Sequence, residues 1–433
     1  TKGVKEGEIG FFEEAMKKVG AKGRVDVDIA DQPRSIEYIK RKLHGEELNA
    51  EEYDELVKDI VHDEFSDVEL TYFVSGCYAK GLNMDEAVSL TNAIVNNGEK
   101  FKFNKGVVVD KHCIGGVPGN RTTMVVVPII ASLGYKMPKT SSRSITSPSG
   151  TADTMEVVAP VKLSADKIKK IVNKHNGVIA WGGGVNLAAA DDKLIRIRHP
   201  MSLDPLGMML ASIMAKKKAV GSTHVLIDIP YGKGAKVEKK NDALKLKELF
   251  IAMGKKLNIK IKVVLTDGSQ PIGSGIGPAL EVADVIAVLK GNGPNDLREK
   301  SIFLATEMLK MLDVKNPKEK VLEILESGKA YSKFREIIVA QGGKKRPHVP
   351  KASLFYEYKA TSNGKVKEIH NKEISKLARI AGAPDDKTAG LYLRVRRNNK
   401  IKKGEILFTL YAESKMKLET AITYLKTIKP IDY

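Results

Sequence analysis

The chain has 433 residues, enough for two or three domains with a sizeable hydrophobic core, and its 29% charged and 42% hydrophobic residues exclude a disordered chain. The longest apolar run is broken by Pro128 and is too short to cross a bilayer, so we expect no membrane span. Two cysteines, Cys77 and Cys113, are too few for a disulfide framework or a zinc cluster, which fits a reducing compartment.

The net charge of +19 comes from 72 basic and 53 acidic residues. A nucleic-acid-binding protein would concentrate Lys and Arg on one face and add aromatic side chains to stack bases. Here the charge is spread along the chain and aromatic residues are only 6%, so binding to nucleic acid is disfavoured. A solvated surface rich in Lys and Glu remains open, as does a site for a small anionic substrate.

The first part of the chain predicts a small unit followed by a helical lobe. Residues 1–34 look like the end of an incomplete N-terminal domain, with a strand in the stretch AKGRVDVDIADQPRS. The chain does not begin with Met, so we expect residues upstream, and no apolar signal core is present, which favours the cytoplasm. Four helical patterns with capping-type residues follow, and we assign residues 35–100 and about 187–219 to the helical lobe.

The rest of the chain predicts an α/β lobe and a C-terminal domain. β-branched runs such as GVVVD, HVLIDIP and KIKVVLTDG alternate with helical stretches, which is typical of a parallel sheet. We assign residues 101–186 and 220–340 to this phosphate-binding lobe, and residues 341–433 to a linker and a β-rich C-terminal α+β domain. The predicted fold class is α/β, with two lobes around a cleft and a C-terminal domain.

A glycine-rich loop follows the strand that ends in the stretch VVVDKHCIGGVPGNRTT. Lys111 and His112 lie at the end of the strand, and Thr122 and Thr123 lie where the next helix would begin. Backbone amides in such a turn can converge on an anion, and a following helix N-terminus adds partial positive charge. The glycine spacing fits neither a P-loop nor a dinucleotide fingerprint, so an ordinary strand-to-helix connection stays open.

A second polar loop lies in TSSRSITSPSGTADTME, where nine of seventeen residues are Ser or Thr and Arg143 is the only basic residue. This composition suits a phosphate or ribose pocket, but a capped surface loop would use the same residues. Because both loops follow strands of one predicted sheet, they should meet at the same edge.

A third stretch, LDPLGMMLASIMAKKK, predicts a helix with Asp204 as N-cap and Pro205 as the first helical residue. Ser212 and Lys216 are four residues apart and share one face, which points either at a ligand or at solvent.

Taken together, the run DKHCIGGVPGNRTT…SSRSITSPSGTADTMEV resembles the thymidine and pyrimidine nucleoside phosphorylases. The resemblance continues through NLAAADDKLIRIR, ASIMAKK, GKGAK and the β-rich tail, and it covers nearly the whole chain. Within that family, the versions GGVPGNRTT and SSRSITSPSGTADT are most similar to the archaeal AMP phosphorylases.

The resemblance implies phosphorolysis of nucleoside 5'-monophosphates, AMP with CMP and UMP as further candidates, to the free base and ribose 1,5-bisphosphate. Inorganic phosphate is then a co-substrate, and no cofactor or metal is expected. The resemblance further implies a homodimer, with larger assemblies through the C-terminal domain as an alternative. A pyrimidine nucleoside phosphorylase, a related phosphoribosyltransferase and a basic RNA-binding protein are the competing functions.

The resemblance also implies roles for matching positions. Asp204 matches the proposed proton donor. The phosphate- and nucleotide-binding positions are Lys111, Gly116, Thr123, Ser142, Arg143, Ser144, Ile145, Thr146, Ser147, Thr151, Ser212 and Lys236. Positions on the base side are His112, Arg198 and Lys216.

Two residues depart from the wider family. Cys113 stands where the family usually has Ser, so one hydroxyl donor to phosphate is replaced by a weakly donating thiol. Ile195 stands where thymidine phosphorylases have an aromatic residue, which argues against a dedicated thymidine enzyme.

Overall fold

The computed structural model describes residues 4–20, 23–28, 32–103, 106–144, 147–185, 187–198, 200 and 203–433. Residues 23–28 form no strand, so the strand expected in this stretch is wrong for the part of it that the structure describes. No described strand pairs with these residues, and a lone strand leaves its backbone amides and carbonyls without partners. The helices of the first part of the chain are α1 Glu13–Val19, α2 Ser35–His44, α3 Ala50–Val61, α4 Asp67–Lys80 and α5 Met84–Asn96.

Helices α3, α4 and α5 begin at residues that the sequence marks as caps. In each, the N-cap side chain and a glutamate three residues later exchange hydrogen bonds with each other's backbone amides. The pairs are Asn49 with Glu52, Ser66 with Glu69, and Asn83 with Glu86. Local sequence therefore sets where these helices start, before any tertiary contact is considered.

Glu86 also joins α5 to α2 through a buried ion pair. Its carboxylate accepts from Lys42 Nζ at 2.7 Å and from the Tyr53 hydroxyl at 3.1 Å, and both charged side chains are at most 3% exposed. Burial tends to raise the pKa of Glu86, but hydrogen bonds from Lys42 and from backbone amides outweigh it and hold the pKa below its ordinary value.

We expect Glu86→Ala to lower the free energy of unfolding by about 3–5 kcal/mol, because Lys42 would remain buried without its partner. Since the pKa of Glu86 is lower in the folded state, its contribution is present above the unfolded pKa of about 4.3 and is lost as the pH falls. Urea unfolding at several pH values checks both effects. Glu37→Ala, which removes the exposed pair with Lys40, is the control and should change little.

The central part of the chain alternates strands and helices. Their bounds are β1 Val109–Cys113, α6 Thr122–Ser132, β2 Met137–Ser141, α7 Thr151–Glu156, α8 Ala165–His175, β3 Gly177–Trp181, α9 Ala189–Arg198, α10 Leu206–Ala219, β4 His224–Tyr231, α11 Lys240–Lys256, β5 Lys260–Asp267, β6 Gly275–Ile276, α12 Pro278–Leu289, α13 Asn295–Met311, α14 Pro317–Glu326 and α15 Lys329–Gln341. Helices α9 and α10 return to the helical lobe, where α9 contacts α3 and α4 and α10 contacts α5.

The strands of this part form a parallel sheet. Strand β1 pairs with β4 and β4 with β5, while β2 pairs with β3, all in parallel. A parallel bridge between Val108 and Lys136 places β2 beside β1, so the order is β3-β2-β1-β4-β5. The loops after β1, β2, β4 and β5 therefore leave from one edge of the sheet, where open α/β sheets bind ligands.

The C-terminal part is a separate α+β unit. Its elements are β7 Leu354–Lys359, β8 Gly364–Lys365, β9 Glu368–Ile369, α16 Asn371–Ile380, β10 Gly390–Leu393, β11 Lys400–Ile401, β12 Ile406–Ala412, α17 Lys415–Leu425 and β13 Ile431–Asp432. Strand β6 of the α/β lobe pairs with β10, so the antiparallel sheet has the order β6-β10-β12-β7. The predicted fold class, a helical lobe, a parallel α/β lobe and a C-terminal domain, is confirmed.

Apolar residues are buried in each unit, and the core of the helical lobe continues into α8 and β3 of the α/β lobe through Ile168 and Val178. Tyr53 and Phe73 are fully buried in the helical lobe, Phe334 in the α/β lobe and Phe408 in the C-terminal domain. None of the helices in the described residues is long and apolar enough to span a membrane.

Candidate active site

The loop between β1 and α6 lies against the loop that follows β4. Gly116 has a φ of +87°, and a Cβ added there would lie 2.1 Å from the backbone nitrogen of Lys236. Only glycine allows both this backbone conformation and this close approach. Gly119 makes a similar contact, since its Cβ would lie 2.3 Å from the carbonyl oxygen of Ile272 in the loop after β5. The glycines therefore bring three loops of the sheet edge together.

We expect Gly116→Ala to displace the Lys236 backbone and weaken nucleotide binding, because an added methyl group cannot overlap a backbone nitrogen. Overpacking of this kind costs about 1–3 kcal/mol. Gly115→Ala is the matched control: its φ is +96°, but an added Cβ meets nothing within 4 Å. The control carries the backbone strain alone, so the KM for AMP should rise much more in Gly116→Ala. Equal changes in the two variants would mean that the contact with Lys236 is unimportant.

Lys111 lies fully buried beneath the loop and faces its hydroxyl groups. Its Nζ donates to Thr122 Oγ1 at 2.9 Å and to Thr123 Oγ1 at 3.5 Å, and Asp228 Oδ2 lies 3.9 Å away. Burial lowers the pKa of Lys111, and the carboxylate of Asp228 opposes that change. The predicted pair of Lys111 and Thr123 is thus brought together at the start of α6.

Two buried carboxylates, Asp110 and the Asp228 that faces Lys111, balance the basic residues under this loop, and sequence reasoning missed both. Asp110 is paired with Lys217 Nζ at 2.5 Å and Lys139 Nζ at 3.3 Å. Burial tends to raise the pKa of Asp110, but the two lysines outweigh it and the pKa is lowered. Burial lowers the pKa of Lys139 to about 7 despite Asp110. These contacts join residues 29 and 107 positions apart, which local patterns do not reveal.

The two predicted polar loops are connected by Arg121, which sequence reasoning also missed. Its guanidinium pairs with Glu281 at 2.5 Å, and it donates to Thr151 Oγ1 at 3.1 Å and to the Ser149 carbonyl at 2.6 Å. Burial raises the pKa of Glu281, and Arg121 opposes it. Arg121 therefore holds the start of α7 against the start of α6. An Arg directly before two threonines was the available signal.

The predicted residues of the second loop lie in different environments. Arg143 pairs with Asp153 at 3.1 Å and with Glu156 at 2.5 Å, and it lies over the Trp181 ring at 5.0 Å. Its guanidinium is thus held by carboxylates, and these hydrogen bonds raise its pKa. The Ser142 side chain is exposed.

Of the four remaining predicted positions in this loop, the structure describes Ser144 and Ser147. The Ser144 amide donates to Asp153 Oδ2 at 2.7 Å, and the Ser144 hydroxyl donates to the Ser147 carbonyl. The Ser147 hydroxyl donates to the Ser149 carbonyl at 2.8 Å. Ile145 and Thr146 lie outside the described residues.

Three predicted residues on the side of the helical lobe converge on Asp191 of α9. Ser212 Oγ and Lys216 Nζ each lie 2.7 Å from Asp191 Oδ2, and Arg198 lies 3.7 Å from Oδ1. The shared face of Ser212 and Lys216 therefore points at a buried carboxylate rather than at solvent. Asp191 itself was missed, because nothing in AADDK distinguishes it from a solvated acidic residue.

Asp204 is not the N-cap that the sequence predicts. Helix α10 begins at Leu206, Pro205 occupies the N-cap position, and no side chain caps the helix. The Asp204 carboxylate instead pairs with Lys236 Nζ, and Arg198 Nη1 donates to its Oδ1 at 3.4 Å. An N-cap side chain would accept hydrogen bonds from backbone amides of α10. The Asp204 side chain instead pairs with two cations outside that helix. The ion pair with Lys236 spans the two lobes.

His112 and Cys113 at the end of β1 are in their neutral forms. Burial lowers the pKa of His112 well below its usual value, and the nearby Lys217, Lys139, Lys111 and Lys236 lower it further. Burial likewise raises the pKa of the Cys113 thiol. The lowered pKa makes His112 a poor general acid, and the raised pKa disfavours the thiolate that Cys113 would need as a nucleophile.

Among the described residues, a single group has three side chains of metal-ligand type close together: Glu368, His370 and Asp432 in the C-terminal domain. Glu368 is paired with Lys233 at 2.8 Å and Asp432 with Lys429 at 3.5 Å, so lysines already neutralise both carboxylates. Neither acid belongs to the loops described above.

Family models match three parts of the chain. The helical bundle domain of a glycosyl transferase family matches residues 36–98, and the a/b domain of that family matches residues 105–331. A pyrimidine nucleoside phosphorylase C-terminal domain matches residues 365–432. The anthranilate phosphoribosyltransferase of Thermus thermophilus has a similar fold, with a TM-score of 0.59 and 15% identity over 70% of this chain and 98% of that one.

Curated relatives match nearly the whole chain. An AMP phosphorylase of Archaeoglobus fulgidus is 44% identical over 99% of this chain and 86% of its own length. An AMP phosphorylase of Thermococcus kodakarensis is 46% identical over 94% of this chain and 82% of its own. A putative thymidine phosphorylase of Legionella pneumophila is 43% identical over 97% and 82%. The chain belongs to the thymidine/pyrimidine nucleoside phosphorylase family, as its motifs predict.

Proposed function

We propose that this protein is an AMP phosphorylase, a pentosyltransferase that cleaves nucleoside 5'-monophosphates with inorganic phosphate. The observation that carries the proposal is the meeting of Lys236, the Gly116 loop and Asp204 at one point between the lobes. A loop of backbone amides, a lysine for a phosphate group and a carboxylic acid for the leaving base are the parts that this reaction needs. Relatives named AMP phosphorylase at 42–46% identity agree with it.

In the reaction, an oxygen of inorganic phosphate forms a bond to the anomeric carbon and the glycosidic bond breaks. Lys111, Thr123 and the glycine loop hold the attacking phosphate, which is a task of positioning and charge stabilisation. The electron pair of the broken bond goes to the base, and Asp204 supplies a proton to a ring nitrogen. The products are the free base and ribose 1,5-bisphosphate. No nucleophilic side chain is involved.

The competing functions lack a specific observation in their favour. Ile195 offers no aromatic ring to pack on a pyrimidine. A nucleoside has no 5'-phosphate for the ammonium group of Lys236 to bind. In the tail, Lys417 pairs with Asp386 at 2.6 Å and Lys429 lies 3.5 Å from Asp432, so local acids already neutralise these two lysines.

The deciding experiment compares AMP and adenosine, at equal concentration and with saturating inorganic phosphate, by following release of adenine. We expect adenine from AMP and little from adenosine, because only AMP carries the anion that Lys236 can bind. CMP and UMP measured in parallel rank the bases. Equal rates with AMP and adenosine would contradict the requirement for the 5'-phosphate, and RNA binding without phosphorolysis would contradict the proposal as a whole.

The assembly in this proposal is a homodimer. Helix α4 leaves Val68, Tyr72 and Tyr78 between 55% and 61% exposed on one side, an apolar surface of a kind that subunit contacts cover. Light scattering of the protein and of a Tyr72→Glu variant tests it, since a charge within a subunit contact should shift the protein toward the monomer.

A further inference from the structure

We infer that Lys236 is a latch on Asp204, and that the 5'-phosphate of the substrate releases it. This inference rests on the proposed function and deepens it: the phosphate group would set specificity by freeing the proton donor as well as by adding affinity. The inference starts from the ion pair between Lys236 and Asp204, two residues whose separate roles do not require them to touch.

The described contacts leave neither oxygen of Asp204 available for acid catalysis. Oδ2 accepts from Lys236 Nζ, and Oδ1 accepts from Arg198 Nη1 at 3.4 Å. An oxygen that accepts a hydrogen bond from a cation carries no proton that it could deliver to the leaving base. In this arrangement, Asp204 is therefore a paired carboxylate and not a general acid.

The two cations differ in how easily they can leave. The Arg198 side chain is 8% exposed and is also held by Asp191 at 3.7 Å, so it stays in place. The Lys236 and Asp204 side chains are 43% and 32% exposed, so water and an incoming anion can reach their pair. Exposed ion pairs are weak, whereas a phosphate offers several strong acceptors to the same ammonium group. A nucleotide can thus take Lys236 from Asp204.

The backbone of Lys236 is held in place, so the release of Asp204 requires only a movement of the flexible Lys236 side chain. Within the loop, the Gly232 amide donates to the Val237 carbonyl at 3.1 Å. From the C-terminal domain, Glu368 holds Lys233 at 2.8 Å. On the other side, the backbone of Lys236 lies against Gly116. A four-carbon side chain on a fixed backbone can move from a carboxylate to a nearby phosphate without moving the loop.

In the proposed sequence of events, the 5'-phosphate pairs with Lys236, and the freed Asp204 Oδ2 takes a proton from the solvent. Inorganic phosphate then attacks the anomeric carbon, and the glycosidic bond breaks with its electron pair going to the base. The Asp204 proton goes to the base, and the proton that inorganic phosphate loses as the ester forms returns to the solvent. Adenosine, which lacks the phosphate group, leaves the latch closed.

The test is Lys236→Met assayed with adenosine and with AMP. If Lys236 only bound the 5'-phosphate, its loss would lower turnover of AMP and leave adenosine unchanged. If it is a latch, its loss frees Asp204, and adenosine phosphorolysis should rise by up to about fivefold, the limit for an exposed pair, while kcat/KM for AMP falls. Lys256→Met is the matched control: this lysine also forms an exposed pair between the lobes, with Asp85 at 2.6 Å, and its loss should leave adenosine turnover unchanged.

A double variant shows whether the effect runs through Asp204. In an Asp204→Asn background, Lys236→Met should no longer raise adenosine turnover, since there is no acid to release. Unchanged or lower adenosine turnover in folded Lys236→Met would overturn the latch, and so would a rise that persists in the double variant. Failure of the wild-type protein to cleave AMP would instead overturn the proposed function, so the two failures are distinguishable.

Discussion

Asp204→Asn should lower turnover of AMP by about 10²–10⁴-fold, because asparagine cannot deliver the proton that the departing base needs. The amide keeps the size of the side chain and an oxygen that can accept from Arg198. The substitution should therefore raise the free energy of the transition state and leave the binding of AMP intact, so the KM for AMP should change little. Asp204 caps no helix, so the melting temperature should also be preserved.

The measurement is kcat and KM for AMP, alongside a thermal melt of the same sample. Near-normal turnover in a folded Asp204→Asn variant would leave Asp204 as a residue of an inter-lobe ion pair and nothing more. The proton would then have to come from elsewhere, and His112 is a poor candidate because burial and four lysines lower its pKa.

Lys111→Met should raise the KM for inorganic phosphate by about 10- to 150-fold, the equivalent of one charge-assisted contact of about 1.5–3 kcal/mol. Methionine preserves most of the buried stem, so the loop should keep its course. The KM for AMP should change less, because Lys236 rather than Lys111 is proposed to meet the nucleotide's own phosphate. Initial rates at varied phosphate and fixed AMP check the expectation.

Removing Lys111 also takes one cation from Asp228, and a control must separate this effect. Lys300→Met removes the other one, which lies 3.1 Å from Asp228 Oδ2 and is 9% exposed. We expect that variant to lose stability but to keep the KM for phosphate near that of the wild type. A similar rise of KM in both variants would indicate that the buried charge balance, and not a contact from Lys111, supports phosphate binding.

The order of the elements could be predicted because it depends on local sequence. Asn49, Ser66 and Asn83 each precede a glutamate at the spacing of a capping box, and each begins a helix in the structure. The β-branched runs before Lys111 and in HVLIDIP form neighbouring parallel strands. Both signals act within a few residues, so they are visible without a fold.

The hydrogen bonds and ion pairs of the site could not be predicted, because they join side chains that are far apart in the sequence. Ser212 donates to Asp191 across 21 residues, and Arg121 donates to Glu281 across 160. Acidic residues are frequent in this chain, so none of them stands out before the fold selects its partner. Family motifs predicted anion-binding positions but not the carboxylates that lie beside them.

Asp204 shows how a local rule can give the wrong answer at a functional position. Asp followed by Pro is a good helix start, yet the helix begins one residue after Pro205 and leaves the carboxylate free for two cations. At a position used for chemistry, tertiary contacts can override the role that the local sequence predicts.

The shared strand between the α/β lobe and the C-terminal domain constrains how the cleft can move. Strand β6 is hydrogen-bonded to β10, and Arg396 of the C-terminal domain pairs with Asp296 of the α/β lobe at 2.9 Å. Separating these two units would break a sheet. The helical lobe is also joined to the α/β lobe, by the buried pair of Lys217 with Asp110 and by a shared apolar core. Any motion of the cleft should therefore carry the C-terminal domain and the α/β lobe as one body.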